Sequence, residues 1–103
     1  MSLQINHNYQ QLFEVLNANR TLVFPPPIMD PNIMVELLNN GRNIMNRRSF
    51  NGCRLLRYFV SLQGQDVGQI VIGLVTSHLW KNATLNEKAD YKNLADQVKQ
   101  IIR

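Results

Sequence analysis

Residues 84–102 of this chain, TLNEKADYKNLADQVKQII, carry the clearest structural signal among its 103 residues. Thr84 and Glu87 form a capping-box pattern, in which the hydroxyl and the carboxylate each accept a hydrogen bond from an unpaired backbone N–H. Apolar side chains then recur at steps of three and four, the spacing of one helix face: Tyr91, Leu94, Ala95, Val98, Ile101 and Ile102. The pattern predicts an α-helix that begins after Thr84 and buries one side.

Two further apolar stripes precede this helix. The first predicts a helix that Gly64 ends and that buries Cys53, Leu56, Phe59 and Val60. In the second, Asp66 is expected to cap a helix, with Gln69 at the reciprocal position. That helix would end near Trp80 and bury Val67, Ile70, Val71, Leu74 and Val75. The β-branched run over 69–75 would also suit a strand, but the cap and the helical neighbours favour a helix.

The first half of the chain has shorter signals. Asn8 is placed to cap a helix that ends near 17–19, and the face of that helix holds Tyr9, Leu12, Phe13 and Leu16. Asp30-Pro31 predicts the start of another helix. Gly41 would end this second helix, which buries Ile33, Met34, Leu37 and Leu38.

Between these two helices lies LVFPPP, residues 22–27. We expect it to be extended, because each proline fixes φ and removes an N–H donor. Such a segment is either a docking ligand for another domain or is packed against its own fold. The second arrangement is the more common one, and we favour it here.

Composition excludes several classes of protein. The chain is 45% apolar and 17% charged, which indicates a globular domain rather than a disordered tail. It has neither a long apolar run nor the features of a signal peptide, so we expect an intracellular protein without a membrane partner. One cysteine and two distant histidines predict no metal and no cofactor. No catalytic motif is evident, so we expect neither an enzyme nor a small-molecule substrate.

Charge is unevenly distributed along the chain. Residues 1–46 have two Lys or Arg and three Asp or Glu, a net charge of −1. Residues 47–103 have nine Lys or Arg and four Asp or Glu, a net charge of +5. Either the basic half binds a polyanion or its charges form a solvated surface, and charge alone does not decide between the two.

The second half also resembles an HMG box. The segment LWKNATLNEKADYKNLA, residues 79–95, is similar to the end of that family's box and most similar to fungal mating-type boxes. In those boxes a Trp-Lys/Arg-Asn ends the second helix, and a Lys, a Tyr and Leu-Ala follow along the third. The same spacing runs here from Trp80 through Lys88 and Tyr91 to Leu94-Ala95.

Upstream, RSFNGCRLLR, residues 48–57, resembles the Arg-Pro-x-Asn-Ala-Phe opening of the family, which ends in Tyr-Arg. The residues that match this opening are Arg48, Asn51 and Arg57. The proline, alanine, phenylalanine and tyrosine of the family are replaced by Ser49, Gly52, Cys53 and Leu56. Phe24-Pro25-Pro26 before a helix is also similar to the flank of some divergent fungal members.

The resemblance implies an all-α fold. A three-helix, L-shaped box would span 47–103, after an extension over 1–46 in which two short helices flank the proline-rich extended segment. The first two box helices form the short arm, and the third pairs with an extended amino-terminal strand. In this family the concave face enters a widened minor groove and bends the duplex.

The implied partner is double-stranded DNA, bound in an AT-biased minor groove, and the implied role is nuclear regulation of transcription of the mating-type kind. Carried over by position, the groove contacts are Arg48 and Asn51, and Arg57 and Lys81 contact phosphates or the groove. Arg54 occupies the wedge position next to Cys53. Arg47 just precedes the motif, and its role is inferred from charge alone.

Simpler interpretations stay open. Asn51 would equally well cap the first box helix, and Arg54 and Arg57 would equally well be solvated. Trp80 and Tyr91 lie on apolar stripes, so we expect them to pack in the core rather than to stack on bases. For the whole protein, the alternative is a divergent box that has lost DNA binding and acts in protein–protein interaction, with another protein or as a homodimer.

The wedge position gives a testable prediction. Desolvation of the Arg54 guanidinium opposes its insertion between stacked bases, so we expect binding with little bending. Arg54→Ile should increase the bend and reduce the slope of log affinity against log salt by about one unit. Energy transfer between dyes at the two ends of a short duplex measures the bend. A large wild-type bend that Arg54→Ile leaves unchanged would mean that another residue is the wedge.

Overall fold

The computed structural model describes residues 3–39, 50–64 and 66–101. Their α-helices are α1 (Leu3–Ala18), α2 (Pro31–Asn39), α3 (Gly52–Gln63), α4 (Gln69–Asn82) and α5 (Leu85–Ile101), and a short 3-10 helix follows α1 at Arg20–Leu22. No strand occurs in these ranges, so the all-α prediction is confirmed and the strand alternative for 69–75 is wrong. No described helix is both long enough and apolar enough to cross a membrane.

Helix α5 begins with the predicted capping box. The Glu87 N–H donates to Thr84 Oγ1 at 3.1 Å, and the Thr84 N–H donates to Glu87 Oε1 at 2.9 Å. The predicted stripe is buried over its first three turns, at Tyr91, Leu94, Ala95 and Val98. Ile101 is 40% exposed, so the stripe leaves the core at the last turn, and Ile102 lies outside the described residues.

Helix α3 is capped at both ends. The Arg54 N–H donates to Asn51 Oδ1 at 2.9 Å, and the N–H of Gly64, the predicted terminator, donates to the Val60 carbonyl at 3.1 Å. Its buried face comprises Gly52, Leu55, Leu56, Phe59 and Val60. Cys53, which the sequence placed on this face, is only half-buried. Because Leu55 is also fully buried, the buried face of α3 is centred away from Cys53, which lies at the edge of that face.

Helix α4 differs most from prediction. Its N-cap is Gly68 rather than Asp66, and no side chain caps it. Its buried side chains are Val71, Ile72, Val75, Thr76 and Leu79. The expected core residues Ile70 and Leu74 are 65% and 39% exposed, and Val67 is half-buried in the preceding loop. Because α4 is apolar around most of its circumference, periodicity did not single out one face. Packing against α1 and α3 decides which face is buried.

The first half of the chain departs from prediction at two boundaries. Helix α1 starts at Leu3, so Asn8 lies inside it rather than at its N-cap. Neither glycine nor proline occurs over 3–7 to stop the helix earlier. Leu22, expected in an extended segment, belongs to the 3-10 helix, and the Val23 and Phe24 N–H groups both donate to the Arg20 carbonyl. The Phe24-Pro25 peptide bond is cis.

Helix α2 starts where the sequence predicted. Asp30 Oδ1 accepts a hydrogen bond from the Asn32 N–H at 2.9 Å, and Pro31 is the first helical residue. Met34 is buried, whereas Ile33, predicted on the same face, is 46% exposed. Leu37 and Leu38 pack against the core from its edge. Gly41, the predicted terminator, lies outside the described residues.

The N-terminal half packs against the helices of the C-terminal half. Helix α1 contacts α4, and α2 contacts α5. The Tyr91 hydroxyl donates to the Val23 carbonyl, and the Phe24 ring meets Tyr91 edge-on at 5.7 Å between centroids. Five buried side chains from the first half belong to the same core cluster: Leu12, Leu16, Val23, Phe24 and Met34. The proline-rich segment is therefore packed against its own fold, as expected, and Pro26 is buried.

Two polar contacts reinforce this packing. Arg20 Nη2 lies 2.5 Å from Glu87 Oε1, and the Arg20 guanidinium carbon is 4.8 Å from the centre of the Phe24 ring. The same Glu87 carboxylate belongs to the capping box of α5. At α1, the Tyr9 hydroxyl is hydrogen-bonded with His78 Nδ1 of α4. One salt bridge thus connects the start of α5 to the segment after α1.

Helices approach one another closely at Gly52, the first residue of α3. A Cβ there would lie 2.9 Å from Trp80 Cη2 and 3.1 Å from the Lys92 backbone nitrogen. We expect Gly52→Ala to destabilise the fold by about 1–3 kcal/mol, as overpacked sites do. Gly73→Ala is the matched control, since the new methyl group there meets the flexible end of Arg57 at 3.0 Å.

The control should be neutral or stabilise the fold by up to about 1 kcal/mol through helix propensity. Urea unfolding of the two variants and the wild-type protein measures both effects. Equal stability of Gly52→Ala and Gly73→Ala would contradict the close packing at Gly52.

Glu87 should make stability depend on pH. Burial alone would raise the pKa of Glu87, but hydrogen bonds from Arg20 and Thr84 and the Arg20 charge outweigh it, so the pKa lies below its usual value of 4.5. The unfolded state then binds the proton more readily. The stability that ionised Glu87 contributes is therefore fully present above about pH 4.5. It is lost as the pH falls through the folded-state pKa of Glu87.

Glu87→Gln removes the charge and keeps an oxygen that can accept the cap hydrogen bond. We expect this variant to be less stable near neutral pH and to lose less stability in acid. Urea unfolding between about pH 3 and 7 compares the two proteins. Parallel pH profiles would show that Glu87 does not contribute to the acid sensitivity.

Candidate nucleic-acid interface

Two of the predicted contact residues, Arg54 and Arg57, lie together on the outer side of α3. Arg54 is exposed and Arg57 is half-buried. Both line a groove of about 200 Å³ between α3 and α4, together with Cys53, Gly73, Thr76 and Ser77. Both also line a neighbouring groove of about 230 Å³, with Leu38, Tyr58, Ser61 and Gln69. Arg54 and Arg57 therefore lie between two open grooves.

Arg57 is held by the first turn of α4. Its Nη2 donates to the Gln69 carbonyl at 3.2 Å and to Gln69 Oε1 at 3.0 Å. Its Nη1 lies 3.0 Å from the position of a Cβ built on Gly73. The side chain thus crosses from α3 to α4 and places its positive charge at the edge of the groove between them.

Lys81 extends this surface along α4. It is exposed in the last turn of the helix. Gly73, Ser77 and Lys81 are spaced by four residues, so they share one side of α4. Gly73 and Ser77 line the groove beside Arg57. Lys81 lies one turn beyond Ser77 on that side, and the three cations therefore border one surface formed by α3 and α4.

Asn51 has a structural role. Its side-chain oxygen caps α3 by accepting the Arg54 N–H, so the capping interpretation is confirmed. Asn51 is also exposed at the N-terminal end of the surface, and contact with a base edge stays a prediction for it. Arg47 and Arg48 lie outside the described residues.

Lys92 is a cation that sequence reasoning did not assign to this surface. It is exposed on α5, and its backbone nitrogen is 3.1 Å from the position of a Cβ on Gly52. The turn of α5 that carries Lys92 therefore packs against the start of α3, next to Asn51. Lys92 is off the apolar stripe of α5, and no local signal in the sequence indicates which other helix lies beside it.

Cys53 borders the same groove without being reactive. Burial raises the pKa of the Cys53 thiol, and the charges of Arg54 and Arg57 only partly oppose that effect. The group is therefore a neutral thiol near neutral pH, which disfavours both nucleophilic attack and metal binding. Within the described ranges, no group of three or more His, Cys, Asp or Glu side chains could hold a metal ion.

Trp80 and Tyr91, the two aromatic residues in the segment that resembles an HMG box, both pack against the core, as expected. Tyr91 is the more completely buried of the two. Tyr91 is fully buried, and burial raises the pKa of its hydroxyl far above the usual value. The hydroxyl therefore remains a hydrogen-bond donor. Trp80 is half-buried and packs edge-on against Tyr91 at 6.3 Å between ring centroids. Both side chains support the helices around the surface.

Comparison with known proteins found no matching family model, no matching curated protein and no matching solved structure.

Proposed function

We propose that this protein binds double-stranded DNA through the basic surface of α3 and α4, as a divergent HMG-box protein. The observation that carries the proposal is the placement of Arg54, Arg57 and Lys81 on one surface, bordered by Lys92 of α5. Cations grouped in this way attract the phosphate backbone, which supplies most of the affinity in non-specific binding and much of it in specific binding. The net charge of +5 over 47–103 also favours attraction of the phosphate backbone.

Helix packing supports the HMG-box part of the proposal. Helix α3 packs against both α4 and α5, which is compatible with a first box helix that contacts the second and the third. The segment around Val23 and Phe24 belongs to the extension over 1–46 and also packs on the proposed third helix, against Tyr91 of α5. We therefore propose that α3, α4 and α5 form the L-shaped box, with the AT-biased minor groove as its target.

The proposed cellular role follows from the DNA binding and the mating-type resemblance. A box that binds the minor groove positions itself by phosphate contacts and acts on the local shape of the duplex. We propose that the protein is nuclear and regulates transcription in this way.

A second candidate is a protein-interaction module. Ile70 and Leu74 of α4 are one turn apart and are 65% and 39% exposed. Exposed apolar side chains that adjoin one another are typical of surfaces that bind proteins. This candidate predicts self-association or partner binding without the salt dependence of a phosphate interface, so salt dependence separates the two functions.

Fluorescence anisotropy with a short AT-rich duplex between about 50 and 200 mM salt tests the proposal. Log affinity should fall linearly with log salt, with a slope of about −0.9 per neutralised phosphate. Arg57→Gln should reduce this slope by about one unit. Lys99→Gln, which removes the same charge from the last turn of α5, is the control and should change the slope less.

Two results would contradict DNA binding. One is the absence of binding at micromolar protein near 100 mM salt, on the order of ordinary non-specific affinity. The other is an affinity that does not change with salt. Either result, combined with self-association in sedimentation equilibrium, would favour the interaction module.

A further inference from the structure

We propose that Gln69 is a positioning residue that holds the Arg57 guanidinium ready to bind a phosphate; this inference rests on the proposed function. Gln69 is the first residue of α4. It offers Arg57 two acceptor oxygens, the backbone carbonyl at 3.2 Å and the side-chain Oε1 at 3.0 Å. Both bonds go to the same nitrogen, Nη2. They therefore fix one end of the guanidinium against the start of α4.

Gly73 leaves room for the guanidinium in this position. The position of a Cβ on Gly73 is 3.0 Å from Nη1, 3.8 Å from Cζ and 3.9 Å from Nη2 of Arg57. All three atoms are thus in contact with the surface of α4 at a residue without a side chain. Gln69 lies one turn before Gly73, so the guanidinium lies along the first turn of α4.

The remaining donors of Arg57 suit a phosphate. Within the described part of the chain, the hydrogen bonds of the guanidinium go to Gln69 and involve Nη2. Nε and Nη1 keep N–H groups that can each donate one hydrogen bond to a phosphate oxygen, whereas Nη2, which both bidentate pairs of a guanidinium share, is engaged by Gln69. The grooves on either side of Arg57 give a phosphate access to them.

The charge of the group that accepts the Arg57 hydrogen bonds also affects phosphate binding. A carboxylate in place of Gln69 would also fix the guanidinium, but it would neutralise the charge that attracts the polyanion. An amide oxygen and a backbone carbonyl fix the side chain and leave its positive charge intact. Arginine has many rotamers, and binding must restrict them. Where Gln69 has already restricted them, less of this entropy is lost on binding.

Gln69→Ala should therefore weaken duplex binding while the charge of Arg57 stays in place. We expect an affinity loss of about two- to ten-fold, the cost of ordering one long side chain, and an unchanged salt slope. Arg57→Gln, in contrast, should lower the slope. Gln97→Ala, which removes an exposed glutamine from α5, is the matched control and should leave affinity unchanged.

A double-mutant cycle with Gln69→Ala and Arg57→Gln in the full chain tests whether Gln69 acts through Arg57. Affinity is measured with an AT-rich duplex, and thermal melts confirm that each variant is folded. If Gln69 acts through Arg57, Gln69→Ala has no effect on affinity in the Arg57→Gln background. An equal loss in both backgrounds, or no loss in the wild-type background, would overturn the proposal and leave DNA binding standing. A wild-type protein that does not bind the duplex would overturn the proposed function and this inference together.

Discussion

The packing around the Tyr91 side chain is the interaction on which the rest of the structure depends. Its ring makes edge-on contacts with Phe24, Phe59 and Trp80, at 5.7, 6.2 and 6.3 Å between centroids. These residues come from the proline-rich segment, α3 and α4. The Tyr91 hydroxyl donates to the Val23 carbonyl in the same segment. One buried side chain of α5 thus connects three other parts of the chain, and its single polar atom is hydrogen-bonded, as burial requires.

The close approach at Gly52 brings the candidate surface together. Because Gly52 has no side chain, α3 starts directly against Trp80 and the Tyr91–Lys92 turn of α5. The approach places the Lys92 backbone beside the start of α3, which Asn51 caps.

The candidate surface combines a rigid support with exposed charge. Isolated charges at a surface contribute little to stability, whereas burial of apolar side chains contributes most of it. The buried side chains of α3 and α4 on the other side fix the helices. Arg57 donates hydrogen bonds to Gln69 on the facing helix. The positive charges therefore lie at the surface while the core sets the spacing of the helices that carry them.

Local interactions explain what the sequence by itself determined. The capping box of Thr84 and Glu87, the Asp30 cap and the Gly64 terminator all involve residues within four positions of one another, so sequence spacing was enough to predict them. The stripe on α5 was equally clear, because its polar and apolar residues alternate at the helical period. These signals predicted an all-α chain and three of its helix ends. They also identified Asn51 as a cap candidate.

Tertiary structure decided what depends on contacts between distant residues. Helix α4 is apolar on several sides, so only the positions of α1 and α3 determine that Ile72 is buried and Ile70 is exposed. The contact between Gln69 and Arg57, twelve residues apart, requires α3 and α4 to lie side by side. The Lys92 backbone lies beside the start of α3 only because α5 packs there. Helical periodicity gives the direction of a side chain relative to its own helix axis, and the packing of helices determines what that side chain meets.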